Sequence, residues 1–242
     1  MLDPVDSVGG EAVADRDRPR SGGPRGGAGA LNTIRPYQSG DRDVLYRICL
    51  ETGDSGRDAI RLYADPDLLG HLFVGPYLEL EPDLAYVVED AEGVAGYVLG
   101  ALDTGEFDKR AEAHWWPRWR DRYPDPDPAR RDAWTRDERM AHLMHHLPAT
   151  ADDVLAGYPS HLHIDLLPRT QGRGHGRRLM RTLLDALRAR GSHGVHLGVG
   201  VRNHNAIGFY RHLGFTEHPI APDGLQMRLS LARPPRHPAR EA

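Results

Sequence analysis

From residue 161 to residue 213 the spacing of apolar side chains changes period repeatedly. His161–Leu167 alternates with a period of two, as a half-buried strand does. Leu179, Met180, Leu183, Leu184 and Leu187 then recur at three and four, which predicts a helix over Gly174–Arg190 with its arginines (177, 181, 188 and 190) largely off the apolar face. A short apolar run predicts a strand at Val195–Val201, and Asn205–Leu213 reads as a helix before a last strand near Leu225–Leu231. The first half is less regular. It predicts a strand at Leu31–Arg35, a helix opened by Ser39-Gly-Asp41 and running through Leu50, and a helix over Asp65–Val74. A hairpin follows, with strands Ala85–Glu89 and Val94–Leu102 around Asp90-Ala-Glu-Gly93. Residues 107–128 show no regular amphipathic pattern, and a polar helix is expected around Ala133–Leu147. Strands with interposed helices make this a mixed α/β sheet protein.

Residues 1–30 and 232–242 are rich in Gly, Pro, Arg and Asp and nearly free of large apolar side chains. Such segments bury too little surface to offset their ordering entropy, so both are expected to be flexible tails around one domain, 31–231. There is no internal repeat. The 242 residues suit one sizeable domain, and 39% hydrophobic with 27% charged residues is an ordinary globular balance. A net charge of −4 argues against wholesale nucleic-acid binding. One cysteine, Cys49, excludes an internal disulfide and a cysteine-type zinc site. The polar start is no secretory signal, and no run approaches the roughly 18 apolar residues of a membrane span. A cytoplasmic location away from membranes is expected.

Candidate chemistry gathers at LLPRTQGRGHGRRLM, residues 166–180, where three glycines lie between a predicted strand and a predicted helix. A helix N-terminus offers unpaired N–H groups and partial positive charge, and glycines before it let an anion approach the backbone. The anion expected there is a phosphate or pyrophosphate. The P-loop pattern fails for want of its lysine. The dinucleotide fingerprint fails because Arg177 stands where its third glycine belongs and Val199-Gly-Val201 lacks its acidic residue.

Gln171-x-x-Gly174-x-Gly176, with Pro168 three residues before it, resembles the phosphate-binding signature of the GNAT acetyltransferases. Downstream, Asn203-His-Asn-Ala-Ile207, Tyr210 and Gly214-Phe215 resemble that family's second signature. A narrower resemblance is carried by Thr33-Ile-Arg-Pro-Tyr37, Val94-Ala-Gly-Tyr-Val-Leu-Gly100 with Asp103, Trp115-Trp-Pro, Tyr123-Pro and Tyr158-Pro-Ser-His-Leu-His-Ile-Asp165. These are similar to the acetyltransferase-like C-terminal domain of eukaryotic O-GlcNAcase and its free-standing bacterial relatives. The eukaryotic domain is regarded as a pseudo-acetyltransferase with a degenerate glycine loop; here the loop is intact.

The resemblance implies a mostly antiparallel sheet whose central strands splay to admit acetyl-CoA, with transfer of acetyl to an amine of a protein or small molecule. It implies the CoA pyrophosphate on the N–H groups of Gln171, Gly172, Arg173, Gly174, His175 and Gly176, with Arg173, Arg177 and Arg178 as charged contacts. Pantetheine would pair with the backbone of Leu166 and Leu167, and Asn203 would bond it or a neighbouring backbone group. Tyr210 would return a proton to the departing thiolate, since a phenol and a thiol have similar pKa values. Asp165, a carboxylate within an apolar strand, and Asp103, at the end of the preceding strand, are candidates for the base or for an anchor of a cationic acceptor. The non-catalytic alternative is a module that binds acetyl-CoA or a protein partner. Trp115, Trp116 and Trp119 are read as satellite core, with an acceptor cleft or partner surface as the alternatives. His142, His145 and His146 share a helix face, but no carboxylate-rich motif accompanies them and no metal is assigned.

Overall fold

The computed structural model describes residues 33–222 and 224–232; the two expected tails lie outside the described residues except for Ala232. The first half comprises β1 (Thr33–Pro36), α1 (Arg42–Thr52), α2 (Leu68–Phe73), α3 (Gly75–Leu80), β2 (Ala85–Asp90), β3 (Gly93–Ala101), α4 (Thr104–His114), α5 (Trp116–Arg122) and α6 (Arg136–His145). The second comprises α7 (Asp152–Gly157), β4 (Ser160–Leu166), α8 (His175–Ala189), β5 (Gly194–Gly200), α9 (His204–His212), β6 (Thr216–Ala221) and β7 (Gly224–Ser230).

The strands form one seven-stranded sheet in the order β1-β2-β3-β4-β5-β7-β6. Every neighbouring pair is antiparallel except β4 and β5. That parallel pair is joined through α8, the kind of crossover that parallel neighbours require. Alternation along the strands sends side chains to two cores. Leu162, Ile164 and Leu166 pack with Leu179, Met180, Leu183, Leu184 and Leu187 of α8, the apolar stripe expected from the spacing. Tyr97, Leu99 and Ala101 of β3 pack on the other face with Leu45, Ile48 and Cys49 of α1 and with residues of α2–α6.

The segment 107–128 is not irregular. It holds most of α4 and all of α5, and the break between them falls at Trp115. Pro117 stands in the first turn of α5, where its missing N–H costs nothing and where it ends the preceding helix. Trp115 then sits at the break while Trp116 and Trp119 fall on the short α5, which hides the periodicity. Trp115 and Trp116 are buried, and the Trp115 Nε1–H donates to the His71 carbonyl at 2.9 Å. Trp119 stacks on His71 with ring centroids 3.4 Å apart. They are core residues, which leaves Trp115 and Trp116 no part in an open cleft. The short α3 and α7 and the edge strand β6, with its mixed burial, also escape the sequence pattern.

Two glycines let the neighbouring layers approach. A Cβ on Gly96 of β3 would lie 2.8 Å from the Asp165 carbonyl oxygen, while one on Gly100 would lie 2.7 Å from Cδ1 of Leu183 on α8. The first contact is backbone and cannot yield without moving β4; the second is a flexible side-chain end. Gly96→Ala is therefore expected to destabilise by about 1–3 kcal/mol in urea unfolding, and Gly100→Ala by distinctly less. Equal losses would show that β4 adjusts freely.

Candidate active site

β4 pairs with β3 over six positions, and β5 pairs with β7 over seven. Between β4 and β5 there are only two, Ser160↔Val195 and His161↔His196. Beyond them the central strands part. Leu167 N–H donates to Ala95 on β3 at 2.9 Å, so by alternation the N–H and C=O groups of residues 165 and 163 also face β3, and those of residues 164 and 166 face the opening. Sequence reasoning placed pantetheine on Leu166 and Leu167. Leu167 must be withdrawn: β3 takes its N–H, and its C=O accepts from both the N–H and the hydroxyl of Thr170. The Leu166 carbonyl accepts from Gln171 Nε2 at 2.7 Å, which ties the glycine loop to the end of the strand. The unpaired strand edge is thus Ile164 and the Leu166 N–H. Ile164 was missed because which backbone groups face outward depends on register.

At the mouth of this fork the chain turns through Pro168–Thr170 into α8. Arg169 anchors the turn by donating to Asp90 of the β2–β3 hairpin at 2.8 Å. Gly172 and Gly174 have φ of +67° and +79°, the left-handed region that glycine enters without penalty. Gly174 caps α8 with no side-chain hydrogen bond, and a Cβ on either glycine would meet nothing within 4 Å. The positive end of a fifteen-residue helix therefore faces open space. Arg173 and Arg177 stand there exposed, and among the described residues neither has an ion-pair partner. Cations at a helix N-terminus oppose the macrodipole, so this arrangement suits an anion that neutralises both. His175, largely buried, is pushed down in pKa by desolvation and then by Arg178 and Arg173, which disfavours adding a further charge.

Asn203 caps α9: its Oδ1 accepts from the Ala206 N–H at 3.1 Å, while its buried Nδ2 has no partner. An orphaned donor of this kind fits a ligand carbonyl. Tyr210 lies on the buried face of α9, 1% exposed, with its ring against Phe209 and Phe215. Asp165 is also 1% exposed, and its side chain lies on the other face of the sheet beside Tyr97 and Cys49. The Tyr97 hydroxyl donates to Asp165 Oδ2, and Oδ1 has no partner. Desolvation raises the carboxyl to about 6, with the Tyr97 bond pulling the other way. A carboxylate so enclosed does not meet an amine arriving from solvent.

Asp103 does not converge with Asp165. The register sets Tyr97 opposite Asp165 and Ala101 opposite His161, which puts Asp103 beyond the far end of the strand pair, roughly 20 Å away along it. There it caps α4, accepting from the Glu106 N–H at 2.9 Å.

His161 stands at the root of the fork, the last residue of β4 paired to β5, and sequence reasoning missed it. The Thr104 hydroxyl donates to the Pro159 carbonyl at 2.8 Å and meets His161 Nδ1 at 2.8 Å. A hydroxyl has one proton, so with that proton on Pro159 the Nδ1 carries its own and Nε2 keeps a lone pair. Burial, then the neighbouring His196 and His163, hold the ring well below the ordinary histidine value, hence neutral at pH 7. The only sequence signal was the alternation of His161, His163 and Asp165 on one strand face.

The sequence profile of the acetyltransferase (GNAT) family matches residues 109–215. The crystal structure of SsHAT is 41% identical to this chain with a TM-score of 0.75, covering 84% of this chain and 99% of that one. The chain belongs to the GNAT acetyltransferase family. Protein O-GlcNAcase of Rattus norvegicus is 30% identical over 185 residues, 76% of this chain, and that of Mus musculus matches equally. This GNAT chain spans about 20% of the length of those curated relatives. The structure of yncA from Salmonella typhimurium, solved with its cofactor acetyl-CoA, shares the fold at 18% identity and a TM-score of 0.51, covering 88% of this chain and 99% of its own. No helix among the described residues of this GNAT domain is long and apolar enough to cross a membrane.

The Asp165 environment makes stability depend on pH. Its folded value near 6 exceeds that of an unfolded aspartate, near 3.9, so as pH rises the unfolded chain releases this proton first. Stability contributed by the protonated carboxyl is complete below pH 4 and lost by the time pH passes 6. Asp165→Asn has no such titration. The stability difference, variant minus wild type, should rise by up to about 3 kcal/mol between pH 4 and pH 7. Denaturant unfolding at both pH values measures it, and a constant difference would mean the carboxylate is well solvated.

Proposed function

We propose that this protein transfers the acetyl group of acetyl-CoA to a primary amine of a protein or small-molecule acceptor. The observation that carries the reading is the fork: two parallel strands that part after two paired positions and open toward an uncapped, glycine-lined helix N-terminus. In this reading pantetheine takes the place of the missing strand, bonding Ile164 and the Leu166 N–H. The pyrophosphate lies on the first turn of α8 between Arg173 and Arg177, and Asn203 Nδ2 donates to a carbonyl of the arm. From the glycine loop to His161 the fork is roughly 16 Å long, so the thioester would lie toward the histidine.

The acceptor amine must lose a proton as it attacks the thioester carbonyl. His161 Nε2 carries a free lone pair at neutral pH and would receive that proton directly or through a water. The Ile164 N–H, the unpaired donor of β4 nearer His161, would turn to the thioester oxygen and stabilise the oxyanion of the tetrahedral intermediate, leaving its C=O and the Leu166 N–H to pantetheine. As the C–S bond breaks, the thiolate takes a proton, and Tyr210 is the proposed donor. Asp165, enclosed beside Tyr97, would act on the site only through its neighbours. A single buried thiol, Cys49, and the absence of a membrane-spanning helix among the described residues agree with a reducing, cytoplasmic setting.

The burial of both Tyr210 and Asp165 favours a second reading, a module that binds acetyl-CoA without turnover. Release of free thiol from acetyl-CoA across a panel of amines and peptides separates the two, and no release above background with any acceptor would sink the enzyme. Given turnover, His161→Gln and Tyr210→Phe should each lower kcat by about 10²–10⁴-fold with acetyl-CoA Kd nearly unchanged. Full activity in both variants would remove these assignments.

Binding has its own test. Gly174→Asn keeps a residue that tolerates the left-handed backbone, yet its side chain would fill the space before α8. Calorimetry should show CoA affinity reduced at least roughly tenfold in a protein that still melts within a few degrees of wild type. Unchanged affinity would place the pyrophosphate elsewhere.

A further inference from the structure

Away from the fork, His142 and His145 of α6 and His146, the residue that ends it, face the segment that follows α5. His145 Nε2 meets the Tyr123 carbonyl at 2.8 Å. His142 Nδ1 meets one oxygen of Asp125 at 2.8 Å, and His146 Nε2 meets the other at 2.6 Å. The carboxylate that the sequence pattern lacked is thus supplied by tertiary structure, 17 and 21 residues before the two histidines, from the proline-rich turn Tyr123-Pro-Asp-Pro-Asp127.

We propose that Asp125, His142 and His146 bind a divalent first-row transition metal ion, with zinc the best fit to their donor set. Two imidazole nitrogens and a carboxylate oxygen are common zinc donors, and histidines at i and i+4 present them from one helix face. The three donor atoms lie within 4.8 Å of one another. In a tetrahedral site neighbouring donors stand about 3.3 Å apart, given metal–ligand bonds of about 2.0–2.1 Å. Against that spacing the His142 contact, at 2.8 Å, would open by roughly 0.5 Å, and the His146 contact to the other oxygen, at 2.6 Å, by roughly 0.7 Å.

The site has the freedom to make that adjustment and one element to hold it. His146 and Asp125 are 49% and 38% exposed at their side chains, so their torsions can adapt. His142 is only 16% exposed, and its ring packs against Trp134 with centroids 4.7 Å apart. Three protein donors leave a fourth position for water. The ion would cross-link the 123–127 turn to the end of α6, whose neighbours in the fold are α2 and α5, remote from the fork. Its role is therefore to pin this corner of the first core.

Equilibrium dialysis and Co²⁺ spectroscopy on the full chain test it. One Co²⁺ per chain should bind with visible d–d absorption of a four-coordinate ion, displaced by Zn²⁺, and Zn²⁺ should raise Tm by several degrees. His146→Ala and Asp125→Asn, both exposed and expected to fold, should weaken binding at least roughly tenfold and abolish the Tm shift. His145→Ala, which loses only the contact to Tyr123, should keep both signals. No bound metal at micromolar Zn²⁺ in wild type, or His146→Ala binding as tightly as wild type, would overturn the proposal.

Discussion

Backbone N–H and C=O groups inside a protein require partners, and the parting of β4 from β5 leaves several without one. The remainder of the architecture holds that gap open. β3 and β7 pair the outer edges of the two strands along nearly their whole lengths, so neither can swing in to close it. α8 covers β4 from one side with five apolar residues, and Gln171 ties the end of the strand to the loop before that helix. A gap with rigid walls and unsatisfied edges has the geometry to take a chain that can hydrogen-bond like a strand.

The charge distribution follows from the same geometry. Most arginines of the domain are paired with carboxylates, as Arg35 is with Asp41 and Glu89 and Arg169 is with Asp90. Arg173 and Arg177, flanking Gly174, are exposed at a helix N-terminus, where the dipole already repels cations. Along the fork, by contrast, His161 is held neutral by burial, and Asp165 is enclosed beside Tyr97. The site therefore combines a cationic mouth with a neutral histidine at its root. That suits a ligand with a phosphorylated head and an uncharged arm.

Several features could be read from residue order alone because they depend on neighbours in the chain. The period-two run ending at Leu167, the stripe from Leu179 to Leu187 and the glycines at 172 and 174 specify strand, helix and left-handed turn from local sterics and periodicity. The hairpin around Gly93, at φ +104°, is legible for the same reason. Local order failed at 107–128, where Pro117 divides two short helices and their tryptophans serve a core made with distant residues such as His71.

Register and enclosure belong to the tertiary structure. Whether Leu167 or Ile164 faces the fork follows from which edge of β4 pairs with β3, a relation between segments about 70 residues apart. Asp103, at a strand end, and Asp165, within a strand, are both expected at one cleft until antiparallel pairing sends them to opposite ends. Asp125 reaches His142 and His146 only because the turn after α5 folds back on α6. The sequence by itself determined most strands and the longer helices, the glycine turn before α8 and the family, since these rest on steric preferences and spacing within short stretches. The surroundings of the candidate acid–base groups, the free strand edge and the carboxylate–histidine cluster were decided by long-range pairing and burial, which set access, protonation and distance between residues that the chain keeps far apart.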